Sequence, residues 1–98
     1  MTDDVTRNAE DRETVTAADV EFGLALVLIA GAATNRAVSE GRYPEFTEAQ
    51  RRELIRANRI KAMVLVRRRV PVGRAFEEAV RFAELAVRIV MGVPAWMN

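Results

Sequence analysis

The hydrophobic pattern is dominated by one run. From Phe22 to Ala33 the chain places twelve residues in succession without a charge, an amide or a hydroxyl. A surface helix keeps a polar face, so a helix that is apolar all round must be enclosed by protein or by lipid. The run begins just after Thr16-Ala-Ala-Asp19, which puts a hydroxyl at the N-cap and a carboxylate at N3, with Val15 and Val20 at the staple positions. A first helix is therefore predicted over about residues 17–39, with Gly41 supplying its left-handed stop. Within it Gly23, Val27, Ala30, Thr34 and Ala37 form a stripe of small or short side chains, and Phe22, Leu26, Ile29 and Ala33 form a second face.

Two further helices follow. Gly41 to Glu45 reads as a turn, and Thr47-Glu-Ala-Gln50 is an S/T-x-x-Q capping box opening a helix over about residues 48–69. On that helix Arg52, Arg56, Arg59 and Arg67 share one face, with Met63 among them, while Leu54, Ile55, Ala62 and Leu65 line another. Val70-Pro71-Val72-Gly73 interrupts it, since proline cannot continue a helix interior. A third helix, about residues 73–91, carries a wide apolar arc that includes Phe76, Ala79, Val80, Phe82, Ala83, Ala86, Val87, Ile89 and Val90. Glu77–Arg81 and Glu84–Arg88 on its other side are acid-first i,i+4 pairs, which mark a solvated face. Gly92, followed by Pro94, closes it. Ala62 to Val66 is β-branched enough to suit a strand, but no partner strand is apparent, so the expected fold class is all-α with three helices.

Size turns this pattern into an expectation about assembly. At 98 residues, 50% of them hydrophobic, a chain has little interior in which to hide its apolar surface. Two amphipathic helices can cover only part of a third. An obligate helical oligomer resolves the surplus, because such interfaces resemble a core cut in two. The residues expected at the subunit seam are Phe22, Gly23, Leu26, Val27, Ala30 and Thr34 on the first helix, Phe76 and Phe82 on the third, and Trp96 beyond it. A membrane partner is the least favoured expectation: a bilayer span needs about 20 mostly apolar residues, and Glu21, Asn35 and Arg36 flank this shorter run.

Charge adds a second theme. The net charge is only +1, yet residues 1–50 hold ten acids against four arginines, and residues 51–74 hold nine bases against Glu53 alone. Residues 1–15 read as an acidic N-terminal arm, and residues 16–98 as a single helical domain. The basic stretch suits either of two partners. Phosphates of a nucleic acid could be neutralised by Arg52, Arg56, Arg59, Arg67, Arg68 and Arg69 without base reading. Alternatively the acidic segment from Asp3 to Glu21, of the same or a neighbouring subunit, could set register by pairing with it. No aromatic residue interleaves the basic stretch for base stacking. A nucleoprotein coat, viral or nucleoid-like, would use the helical seam and the basic face together.

Catalytic chemistry has few residues to draw on. The chain lacks cysteine and histidine, which removes disulfides, thiolate nucleophiles, imidazole bases and the common zinc ligand sets. Ser39, Tyr43 and Lys61 are the single representatives of their types, and none sits in a nucleophile motif. The expectation is a non-enzymatic structural or interaction subunit with no catalytic, metal or cofactor site. The acidic start (Asp3, Asp4) differs from the basic, then apolar, pattern of a secretory signal. A cytoplasmic location, or the interior of a virion or similar assembly, is expected.

Overall fold

The computed structural model describes residues 15–92. They form three helices, α1 (Ala17–Ser39), α2 (Glu48–Arg67) and α3 (Val72–Met91), each of which packs against both others. No strand occurs among the described residues. Both predicted capping boxes form. Thr16 accepts from the backbone N–H of Asp19 while the Asp19 carboxylate accepts from that of Thr16, and Thr47 and Gln50 exchange the same pair of bonds. α3 starts from Pro71, with no side chain capping it.

The first two helices end in the same way. After α1, Gly41 takes a positive φ of 76°, its N–H donates to Val38 and that of Arg42 donates to Ala37, the two bonds of a Schellman stop. After α2 the identical pair runs from Arg69 to Val66 and from Val70 to Leu65, but the left-handed residue is Arg69, at φ 55°. α2 therefore stops two residues short of the predicted Arg69. Pro71 lies too far on to mark this boundary, and no glycine signals it. Arg69 is held in place from outside, its guanidinium 2.9 Å from the Asp19 carboxylate at the start of α1.

The core runs the length of the bundle in three groups. At one end Leu26 of α1 meets Ala62, Leu65 and Val66 of α2 and Ala75 and Ala79 of α3. Ala30 and Ala33 meet Ala83 in the middle. At the far end Ala37, Tyr43, Phe46 and Leu54 close over Ala86 and Val87. This order makes α2 antiparallel to its neighbours and leaves α1 and α3 parallel. Their shared seam is rich in alanine, above all in its middle: Ala30, Ala33 and Ala37 on one side, Ala75, Ala79, Ala83 and Ala86 on the other, with Leu26, Phe22 and Phe76 adding bulk at one end. Methyl-sized side chains let two backbones approach closely, and the bulk needed to fill the bundle comes mostly from α2. The Tyr43 hydroxyl donates to the Gly92 carbonyl at 2.7 Å, fastening the α1–α2 turn to the end of α3.

Candidate association and polyanion surfaces

α1 is a cylinder with three sides, and the chain covers two of them. The small-residue stripe is divided between the two neighbours: a Cβ built on Gly23 would lie 3.5 Å from a Val66 methyl of α2 and Thr34 meets Asn58, whereas Ala30 packs with Ala83 of α3. The other predicted face meets α3, where the Phe22 and Phe76 rings stand edge to face at a centroid distance of 5.9 Å. Leu26, Ala30 and Thr34, expected at a seam between subunits, are thus buried by the chain's own helices. The periodicity identified a close-packing face correctly but could not say which helix would fill it. Gly23, Val27, Phe22, Phe76 and Phe82 are half-buried, and Trp96 lies outside the described residues.

The third side of α1 is bare. Leu28 is 75% exposed, Leu24 58% and Val20 52%. Ala25, Gly31 and Ala32 continue the apolar surface between them, with Glu21 at one end and Asn35 and Arg36 at the other. Leu24, Leu28, Gly31 and Ala32 belong to the twelve-residue run, but the residues expected at the seam, Phe22, Gly23, Leu26, Val27 and Ala30, lie on the sides that the chain itself covers. α1 is long and apolar enough to cross a bilayer by length and composition. Two of its faces are engaged in protein, however, and a buried polar pair sits on one of them. Apolar side chains are exposed on the other helices too, Ile55, Ile60 and Met63 on α2 and Val72, Leu85 and Ile89 on α3.

That polar pair is Thr34 and Asn58. The Asn58 amide donates to the Thr34 hydroxyl at 3.0 Å, and the hydroxyl donates to the Ala30 carbonyl at 2.8 Å. Asn58 Oδ1 is buried without a hydrogen-bond partner among the described residues. A cleft of about 110 Å³ opens beside it, between α1 and α2, lined by Gly31, Asn35, Leu54 and Ile55 among others.

The basic face of α2 looks away from the bundle. Arg52, Arg56, Arg59 and Arg67 are all exposed on it, around an exposed Met63. From Arg52 to Arg67 this row spans about 22 Å at the helical rise. Arg52 makes an exposed i,i+4 pair with Glu48 at 3.6 Å. Arg56, Arg59, Arg67 and Arg68 have no ionic partner among the described residues, whereas Arg69 is paired with Asp19 and so stands apart from the row. Of the acidic segment Asp3 to Glu21, residues 15–21 are described, and there Asp19 pairs with Arg69 of the basic stretch; the rest of the segment lies outside the described residues.

The titration of Asp19 is displaced. Its carboxyl sits below the usual carboxylate range, chiefly because it accepts the Thr16 backbone N–H and then because the Arg69 guanidinium donates to it. The residues considered for chemistry serve the fold. Ser39 donates to the Arg36 carbonyl, Tyr43 to that of Gly92, and the Lys61 amine lies 3.8 Å from Glu78 and 5.7 Å from the centre of the Phe82 ring. Lys61 opens onto a broad cleft between α2 and α3, about 580 Å³, in which Arg74, Glu77, Glu78 and Arg81 mix both signs of charge. No cluster of metal-ligating side chains occurs among the described residues. Comparison of the chain with protein-family models, with curated proteins and with solved structures finds no match.

Proposed function

We propose that this chain is a non-enzymatic, self-assembling helical subunit that works as a structural or interaction component. The observation that carries this reading is the bare side of α1, where Val20, Leu24 and Leu28 face solvent on a helix otherwise enclosed by its own chain. Contiguous exposed apolar surface marks an interaction site. A subunit built to associate has a reason to keep it, and an isolated small domain has none. Light scattering at low micromolar concentration tests the reading. A dimer or larger species is expected, and a stable, folded monomer overturns it.

A second reading rests on a different observation, the row of exposed arginines on α2, of which Arg56, Arg59 and Arg67 have no ionic partner among the described residues. A polyanion such as nucleic acid fits it, bound through phosphates without sequence preference. Such binding weakens steeply with salt, by a slope of about 0.9 in log affinity for each phosphate neutralised. Gel shifts with random-sequence DNA and RNA at low salt are the test, run beside an Arg52→Glu/Arg56→Glu/Arg59→Glu variant. Loss of binding in the variant supports this reading, and absence of any shift by the parent chain removes it. The two readings are compatible: a nucleoprotein coat would join subunits through α1 and turn α2 toward the nucleic acid.

A further inference from the structure

The bare side of α1 is complementary to itself when reversed. Ala17, Glu21, Leu24, Leu28, Gly31 and Asn35 recur at alternating steps of four and three, the spacing of a two-helix seam. All are exposed except Gly31, which is half-buried. A Cβ built on Gly31 would meet nothing within 4 Å, so the chain's own packing gives no reason for a glycine there. Glycine weakens a helix interior relative to alanine. A notch of this kind earns its place when something bulky comes close.

A second α1, turned end for end about Leu28, supplies that bulk. Positions equidistant from Leu28 then face each other, so Leu24 of each copy lies over Gly31 and Ala32 of the other. Glu21 of each copy comes beside Asn35 and Arg36 of the other. Glu21 and Arg36 are both exposed and have no ionic partner among the described residues. Opposed helix dipoles favour the same direction. A parallel pair would set Leu24 on Leu24, leave two glycine notches face to face, and bring Glu21 against Glu21, which like-charge repulsion opposes.

We propose that this face binds a second copy of the chain, with the two α1 helices antiparallel about Leu28 and Leu24 of each seated in the Gly31 notch of the other. The proposal rests on the assembly reading and adds the face, direction and register. The cleft beside Gly31, lined also by Leu54, Ile55 and Asn58, gives the seated side chain depth.

The chain contains no cysteine, so single introduced cysteines report proximity cleanly. With a short bismaleimide, Leu28→Cys is expected to link to itself. Leu24→Cys is expected to link to Ala32→Cys in a mixed sample, and only weakly to itself. Gly31→Leu fills the notch from a position where an added Cβ meets nothing within 4 Å, so it should weaken association about tenfold or more while leaving the helical circular dichroism intact. Self-linking at position 24 as strong as at 28, or an oligomer indifferent to Gly31→Leu and Leu28→Glu, overturns the proposal and leaves the assembly reading standing. A folded monomer at low micromolar concentration overturns both. A monomer that co-sediments with phosphatidylcholine vesicles, and stops doing so on Leu28→Glu, assigns the face to lipid and overturns the proposal as well.

Discussion

Thr34 and Asn58 show how much a single polar contact can decide in an interior this small. Removing the Thr34 hydroxyl alone strands the Asn58 amide in a site where its oxygen already lacks a partner. Thr34→Val should therefore lower stability by about 1–3 kcal/mol, the desolvation cost of an unsatisfied buried group. Thr34→Val combined with Asn58→Leu replaces both groups by apolar ones and should recover most of that loss. Urea denaturation of the two single variants and the double variant measures the coupling. Asp19 offers a second residue-level prediction. Its carboxyl is lowered on folding, so its contribution is present above the ordinary value of 3.8 and is lost as pH falls through the lowered one. Thermal melts of Asp19→Asn should show less destabilisation on acidification below that value than the parent does. The capping half of the Asp19 effect was legible in the sequence and its Arg69 half was not; the polar pair was not legible either, since Thr34 reads as one more short side chain and Asn58 as a polar residue on a basic helix. Their pairing depends on the register between two helices, and periodicity within one helix does not set it.

Helices were the most legible scale, because several local signals agreed. The capping boxes at Thr16 and Thr47 and the glycine stop at Gly41 all form where the residues imply. The end of α2 departs because its left-handed residue is Arg69, a side chain that pays steric strain there. It is held by Asp19, which is 50 residues away in sequence and beyond the reach of any local rule. The caps differ in consequence. Thr47→Ala removes the acceptor for the Gln50 N–H and should cost about 1 kcal/mol, measurable by chemical denaturation. α3 has no side-chain cap to lose and draws its stability from its buried alanine and valine face. The candidate surfaces were half legible at this scale. The arginine face of α2 is where the sequence put it, whereas the seam residues Leu26, Ala30 and Thr34 turn inward, because helical spacing sorts residues into faces without naming the neighbour each face meets.

For the whole molecule, the surplus of apolar residues is shared among the helices: Val20, Leu24 and Leu28 line one side of α1, Ile55, Ile60 and Met63 stand exposed on α2, and Val72, Leu85 and Ile89 on α3. If assembly runs through α1, the apparent melting temperature should rise with protein concentration, as mass action requires of a linked association. Leu28→Glu should abolish that dependence and leave a folded, concentration-independent monomer. Differential scanning calorimetry over a wide concentration range separates the outcomes. Retained helicity in this variant would also distinguish Leu28 from Leu26, whose side chain is fully enclosed and whose truncation to alanine should cost about 2–5 kcal/mol.

The alanine seam between α1 and α3 changes what kind of mutation the chain can survive. Most interiors suffer chiefly from lost volume, but here the middle of the contact is made of methyl groups that have almost nothing to lose. Added volume is the hazard: a single enlarged side chain, such as Ala83→Leu, would wedge two parallel helices apart and disturb the packing above and below it. Overpacking of this sort costs about 1–3 kcal/mol in ordinary cores, and a seam without flexible neighbours should stand at the upper end of that range. A saturation library scored for folded yield would show it as a row of positions tolerant of glycine or serine and closed to anything larger. Sequences descended from this one could drift freely on the outer faces of α2 and α3, while this row stays small.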